Sequence, residues 1–179
     1  GTASFEGASV DVTTLETSDG STTTIESDTV LSVTDFDVSG EVAMAESTVT
    51  VDTLETDASS TWTASEGADV TIDTATLSGD ASFEGASVNV TTLETSDGST
   101  TTIESDSVLT VTDFDVSGEV TMAESTVTVE TLETDASSIW TASEGADVTI
   151  DTATLFGDAS FEGASINVTT LEVTTDSIT

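Results

Sequence analysis

Nine glutamates recur along the chain at near-constant spacing: Glu6, Glu26, Glu46, Glu66, Glu84, Glu104, Glu124, Glu144 and Glu162. Each is followed by Gly or Ser, the composition of a corner between extended segments. A second, partial column runs Glu16, Asp37, Glu55 and Thr76, then Glu94, Asp115, Glu133, Thr154 and Glu172. If parallel strands stack these residues, neighbouring carboxylates lie ~4.8 Å apart and repel by ~0.9 kcal/mol per pair in water. Such a ladder calls for cations. Oxygen-only ligands of this kind suit Ca²⁺, and less specifically Mg²⁺ or Na⁺. Three readings stand side by side: a solvated corner screened by salt, a diffuse condensed cation layer, and discrete Ca²⁺ sites between neighbouring glutamates. Neither an EF-hand loop nor a Gly-Gly-x-Gly-x-Asp repeat is present.

Little other chemistry is open to this chain. It carries 36 Asp plus Glu and no Lys, Arg, His or Cys, for a formal charge of −36. Phosphates cannot be neutralised by such a surface, so nucleic acid and anionic membranes are excluded as direct partners. Imidazole, thiolate and Schiff-base chemistry are absent, as are the usual zinc ligands and any disulfide. Paired carboxylates can hydrolyse glycosidic bonds, but a catalytic site is a single irregular place and these acids recur in every unit. The expectation is a non-enzymatic protein that requires no cofactor, with Ca²⁺ as the ion its carboxylates would take. Asn89-Val90-Thr91 and Asn167-Val168-Thr169 fit the N-glycosylation pattern, although the first copy has Asp11 in the same place, which drift explains as readily.

High charge with 35% apolar residues is a disorder signature, and the order of the residues overrides it. The stretch from Ala3 to Val10 returns at Ala81 and again at Ala159, and residues 3–78 and 81–156 differ at only 7 of 76 positions. The whole chain, 1–179, therefore reads as one repetitive segment, with repeats 1–78, 79–156 and a partial 157–179, belonging to a longer protein or filament. Inside each repeat lie four shorter rows, nine rows in all, beginning near Gly1, Gly20, Gly40, Ser59, Gly79, Gly98, Gly118, Ser137 and Gly157. Each row holds three short alternating stretches: Ala3/Phe5, Val10/Val12 and Leu15 in the first, Thr23/Ile25, Leu31/Val33 and Phe36 in the second. Period-two alternation rich in Thr and Val, bounded by Gly, Ser and Asp, predicts strands.

An immunoglobulin-like sandwich would not need four similar rows per unit. An all-β solenoid does: about nine coils of about 19–20 residues with three short strands each, stacked in parallel to a rod of ~43 Å and right-handed by the general bias of parallel crossovers. Core volumes agree, because large and small residues trade places between rows: Ala64 follows Trp62 where Phe5 follows Ala3, as a shared narrow core requires. Trp62 and Trp140 are accordingly read as core filler rather than ligand platforms.

Rows of this length, with a Gly-led turn and short Val/Leu alternations, resemble the coils of filamentous-haemagglutinin-type β-helices and are similar to the repeat stalks of giant bacterial surface adhesins and biofilm-matrix filaments. That resemblance implies a secreted, elongated stalk at the cell surface or in an extracellular matrix. The partners expected are neighbouring repeats or identical chains stacked end to end, and cations. Two other classes remain open: a solenoid binding module for ice, mineral or calcium, and a functional-amyloid-like fibre.

Overall fold

The computed structural model describes residues 1–174. Val and Thr restrict their own χ1 and pack well on a pleated surface, and here they build two nine-stranded sheets in which every strand pairs in parallel with the equivalent strand of the next coil. Each coil holds one short and one long strand. Coil 1 has Thr2–Glu6 and Ser9–Thr17, and coil 2 has Thr22–Glu26 and Val30–Val38. Coil 3 has Glu41–Met44 and Thr48–Thr56, and coil 4 has Thr61–Ala64 and Asp69–Leu77. Coils 5 to 8 repeat this plan from Asp80 to Leu155, and coil 9 has Asp158–Phe161 and Ser165–Val173. The described residues form a parallel β-solenoid of nine coils.

The coil has two strands, not the three expected. The second and third stretches form one continuous nine-residue strand, yet they still lie on different sides of the coil. In Val30–Val38 the inward residues are Leu31, Val33, Phe36 and Val38, so the alternation slips one place and leaves Thr34 and Asp35 both exposed. The pairing skips the same place, running Val33↔Val51 and then Asp35↔Thr53. The strand bends there without a turn, and a bend needs no Gly or Ser to mark it.

Inward residues stack in columns. Phe5, Ile25, Met44, Ala64 and Phe83 follow one another in the short-strand sheet, and Leu15, Phe36, Leu54, Ala75 and Leu93 in the long-strand sheet. From coil 2 to coil 8 the interior side chains are almost fully buried, each contributing ~1.5–3 kcal/mol of hydrophobic stabilisation where Val, Leu, Ile or Phe is concerned. Trp62 is 1% exposed and meets Phe36 edge-on at 5.3 Å and 75°, as Trp140 meets Phe114 at 5.5 Å and 70°. Both indoles are core.

The stack also has an odd–even alternation. In the short-strand sheet Phe5 faces Ile25 and Ile25 faces Met44, so successive steps along the chain are nearly equal. In the long-strand sheet Val10 faces Leu31 and Leu31 faces Val49, a long step followed by a distinctly shorter one. Odd coils leave their long strand by a four-residue turn such as Ser18–Ser21, and even coils by a two-residue turn such as Ser39-Gly40. The tight turn passes so close to the coil before it that a Cβ on Gly40 would sit 2.5 Å from the Ser21 carbonyl oxygen. Glycine is therefore required there for close approach.

Candidate functional site

The glutamate corner follows the short strand. Glu6 and Glu26 end their strands in direct register, as do Glu84 and Glu104. Glu46 and Glu66 do not continue that line. Ala45 and Ser65 take the place after the last core residue of their strands, and each glutamate falls one residue further round the corner. Glu46 and Glu124 adopt left-handed backbone with φ 46°, a conformation that costs ~1–2 kcal/mol for a non-glycine residue. Inter-coil hydrogen bonds hold them in it. The Glu46 N–H donates to the Glu66 carbonyl at 3.1 Å, and its own carbonyl accepts the Asp28 N–H at 2.7 Å.

The expected single ladder of nine glutamates is thus an array of pairs, Glu6/Glu26, Glu46/Glu66, Glu84/Glu104 and Glu124/Glu144, with successive pairs displaced round the corner, and Glu162 on the last coil. A shallow groove runs past it, lined by Glu46, Glu66, Glu84 and Asp106. The sequence carries the signal. From Glu6 to Glu66 the glutamates advance by a constant step and then take a shorter one to Glu84, while the core beside them, from Phe5 to Phe83, alternates between two steps that differ by a single position.

The second column is straight. Glu16, Asp37 and Glu55 lie in consecutive register, then Thr76, and the pattern repeats at Glu94, Asp115, Glu133, Thr154 and Glu172. All these positions except half-buried Thr76 and Thr154 point into solvent. Among the described residues no three acidic side chains converge closely enough to hold a metal ion. The carboxylates are arrayed along a surface, a geometry that concentrates mobile cations rather than enclosing one.

One acidic residue is set apart. Slight desolvation would raise the carboxyl pKa of Asp135, but the Ser117 hydroxyl, the Ser137 backbone N–H and hydroxyl and the Ser138 N–H together outweigh it and hold the pKa below the ordinary aspartate value. Ser137 gives two of these bonds, from its N–H and Oγ to Oδ1 at 3.0 and 2.9 Å. Nothing in the sequence pattern sets this residue apart from the other acids. The glycosylation-pattern asparagines Asn89 and Asn167 are exposed in mid-strand.

Fold and surface define an acidic β-solenoid whose outward functional groups are carboxylates and hydroxyls. Comparison with protein-family models, with curated proteins and with solved structures finds no match.

Proposed function

We propose that this chain is a structural rod: a stalk or filament segment of a secreted cell-surface or extracellular-matrix protein, non-catalytic, whose polyanionic surface is balanced by bound or condensed cations. One observation carries the reading. Among the described residues the same coil is stacked nine times, and two of its outer columns carry carboxylates on most coils. The 36 acidic residues less Asp176, which lies outside the described residues, leave 35 over nine coils, or one charge per ~1.2 Å of axis, denser than the ~1.7 Å of duplex DNA, which itself condenses counterions. The test is atomic-force or electron microscopy of the purified chain, with calorimetry against Ca²⁺ and ionic-strength-matched Na⁺. Straight particles about one coil wide that gain thermal stability with cations support it. Compact or unfolded particles under every condition overturn it.

A second reading is favoured by one surface. The central outward column of the short-strand sheet is free of charge, with Thr24, Thr63, Thr102 and Thr141 recurring between Ser4, Ala43, Ser82 and Thr121. A column of hydroxyls, broken only at Ala43 among the described residues, could register on an ice or mineral lattice. Glu41, Asp80 and Glu119 interrupt the neighbouring column, which makes the matching strip one residue wide. Thermal hysteresis of a concentrated solution distinguishes this module from a plain rod.

A further inference from the structure

The seams between coils are of two kinds. Where an even coil follows an odd one, its tight turn gives backbone N–H groups to the buried Thr that ends the long strand before it. Ser39 and Gly40 donate to Thr17 Oγ1 at 3.1 and 3.2 Å, and Ser78 and Gly79 to Thr56 at 3.0 and 3.3 Å. Gly118 donates to Thr95 at 3.4 Å and Phe156 to Thr134 at 3.0 Å. Three of these four seams also carry a hydroxyl-to-carbonyl bond: Thr29 to Phe5 at 3.1 Å, Ser65 to Met44 at 2.9 Å and Ser143 to Met122 at 3.1 Å. The turn is seated closely as well. A Cβ on Gly40, Gly79, Gly118 or Gly157 would stand 2.4–2.5 Å from an atom of the turn before it.

Where an odd coil follows an even one, these ties are missing. The longer turn closes on itself, Ser21 N–H to Ser18 carbonyl at 2.9 Å and Ser60 to Asp57 at 3.0 Å, and it lies over Val38, Leu77 or Val116, which offer no acceptor. A Cβ on Gly20 or Gly98 would meet nothing within 4 Å. The side-chain bonds across these seams run mostly between exposed or half-buried side chains: Thr22 to Glu41 at 3.3 Å, Ser39 to Asp57 at 2.6 Å, Ser78 with Ser96 at 2.9 Å, and Ser117 to Asp135. Only Thr174, 3.4 Å from the Leu155 carbonyl, reaches backbone. The long-strand ladder is the same at both kinds of seam.

Stability in a solenoid is a sum of coil terms and nearest-neighbour interface terms. A surface bond that water can replace contributes little to such a term, whereas a buried amide stripped of its acceptor carries its full desolvation penalty. The interface terms therefore alternate along the rod. We infer that the rod yields under tension two coils at a time, parting at the seams where an odd coil follows an even one, an inference that rests on the rod reading above. Unwinding coil 8 breaks its tie to Thr134 and lifts Gly157 from its seat. Coil 7 is then held by the weaker seam to coil 6, under a load already above its strength, and follows at once. Coils 6 and 5, then 4 and 3, repeat the event. The Phe36–Trp62 and Phe114–Trp140 contacts join coil 2 to coil 4 and coil 6 to coil 8, and part when coil 4 or coil 8 unwinds, adding to the same barrier. A stalk built this way releases length in fixed portions while the remaining coils stay folded.

The test uses the whole chain, which has no cysteine of its own. Asp11→Cys with Asn167→Cys puts handles on outward positions of coils 1 and 9. The chain is stretched in an optical trap in ~1 M NaCl, where like charges are screened beyond ~3 Å. It is expected to lengthen in steps of ~130 Å, two coils of extended chain at ~3.6 Å per residue less the length they held in the rod. Thr56→Val should speed the opening of one step ~10-fold at a given load and leave the other steps unchanged. Thr56→Ser, which keeps the acceptor, should restore it. Steps of ~65 Å, one coil each, or a single rip of the whole stack overturn the pairing and leave the rod reading intact. An opening rate that Thr56→Val does not change overturns it as well. Absence of rods by microscopy together with absence of β-sheet circular dichroism overturns the underlying reading instead.

Discussion

The hydroxyl oxygen of Thr17 lies 3.1 Å from the amide nitrogen of Ser39 and 3.2 Å from that of Gly40, accepting both from one coil further along the rod. A buried hydroxyl is thereby satisfied, and the Gly40 amide gains its acceptor. Thr56 does the same for Ser78 and Gly79 in mid-rod. Thr56→Val keeps the shape and removes the acceptor, leaving buried N–H groups unpaired at a cost of ~1–3 kcal/mol. Urea melts should show a lower midpoint with unchanged slope, and a midpoint equal to wild type would refute the role given to this hydroxyl.

Gly118 makes a different demand on the same turn. A Cβ there would stand 2.5 Å from Ser99 Oγ and 2.7 Å from the Ser96 and Ser99 carbonyl oxygens. The carbonyls cannot retreat without breaking the stack, so Gly118→Ala should cost ~1–3 kcal/mol. Gly20→Ala is a fitting comparison, since its added Cβ meets nothing within 4 Å while its φ of +68° is left-handed. Its loss, read by thermal melting, should be the smaller ~1 kcal/mol of backbone strain alone.

Asp37 stands between Glu16 and Glu55 in direct register. Asp37→Asn removes two like-charge neighbours, each worth up to ~0.9 kcal/mol in water without salt. The variant should melt above wild type in low-salt buffer. The two should converge as ionic strength rises past the point where the Debye length falls below the spacing of the column. A gap that persists in molar salt would show that the effect is not electrostatic.

Asp135 is favoured in its charged form. Hydrogen bonds from Ser117, Ser137 and Ser138 hold its folded-state pKa below the ordinary aspartate value, so the folded state binds its proton less tightly than the unfolded chain does. The stabilisation is present above the unfolded value and is lost as pH falls through the lower folded value. Asp135→Asn should therefore be less stable than wild type at neutral pH, with the difference closing as acid protonates the folded carboxylate. Paired denaturant titrations from neutral pH down through the aspartate range measure it.

Much of this architecture is legible because stacking makes core and repeat the same signal. The pairing of Phe5 with Ile25 and of Leu15 with Phe36 follows from lining up the rows, and so does the straight run of Glu16, Asp37 and Glu55. What escapes is everything decided at corners. The bend at Thr34 is made by a slip in alternation rather than by a turn residue, so the sequence reads as two strands where the chain makes one. Glu46 looks like the successor of Glu26 because both precede Ser, but an alanine inserted in the corner moves it one place on. Thr17, Thr56, Thr95 and Thr134 pass as small core residues, since an acceptor role is visible only when a donor from the following coil is placed beside each hydroxyl.

The alternation of four-residue and two-residue exits gives the rod a grammar of permissible lengths. Removing or adding a single coil would either set a tight turn over an aliphatic residue and strand its amides or leave a buried Thr hydroxyl without the donors it accepts. The smallest change that keeps every donor matched is therefore a pair of coils, the span that separates Gly40 from Gly79. Keeping the Trp62-to-Phe36 fit as well requires the whole four-coil repeat. Unequal recombination among the near-identical copies would then lengthen or shorten the molecule in increments of ~19 Å, making it a gauge graduated in fixed divisions, whose reach could change between lineages with no loss of fit inside.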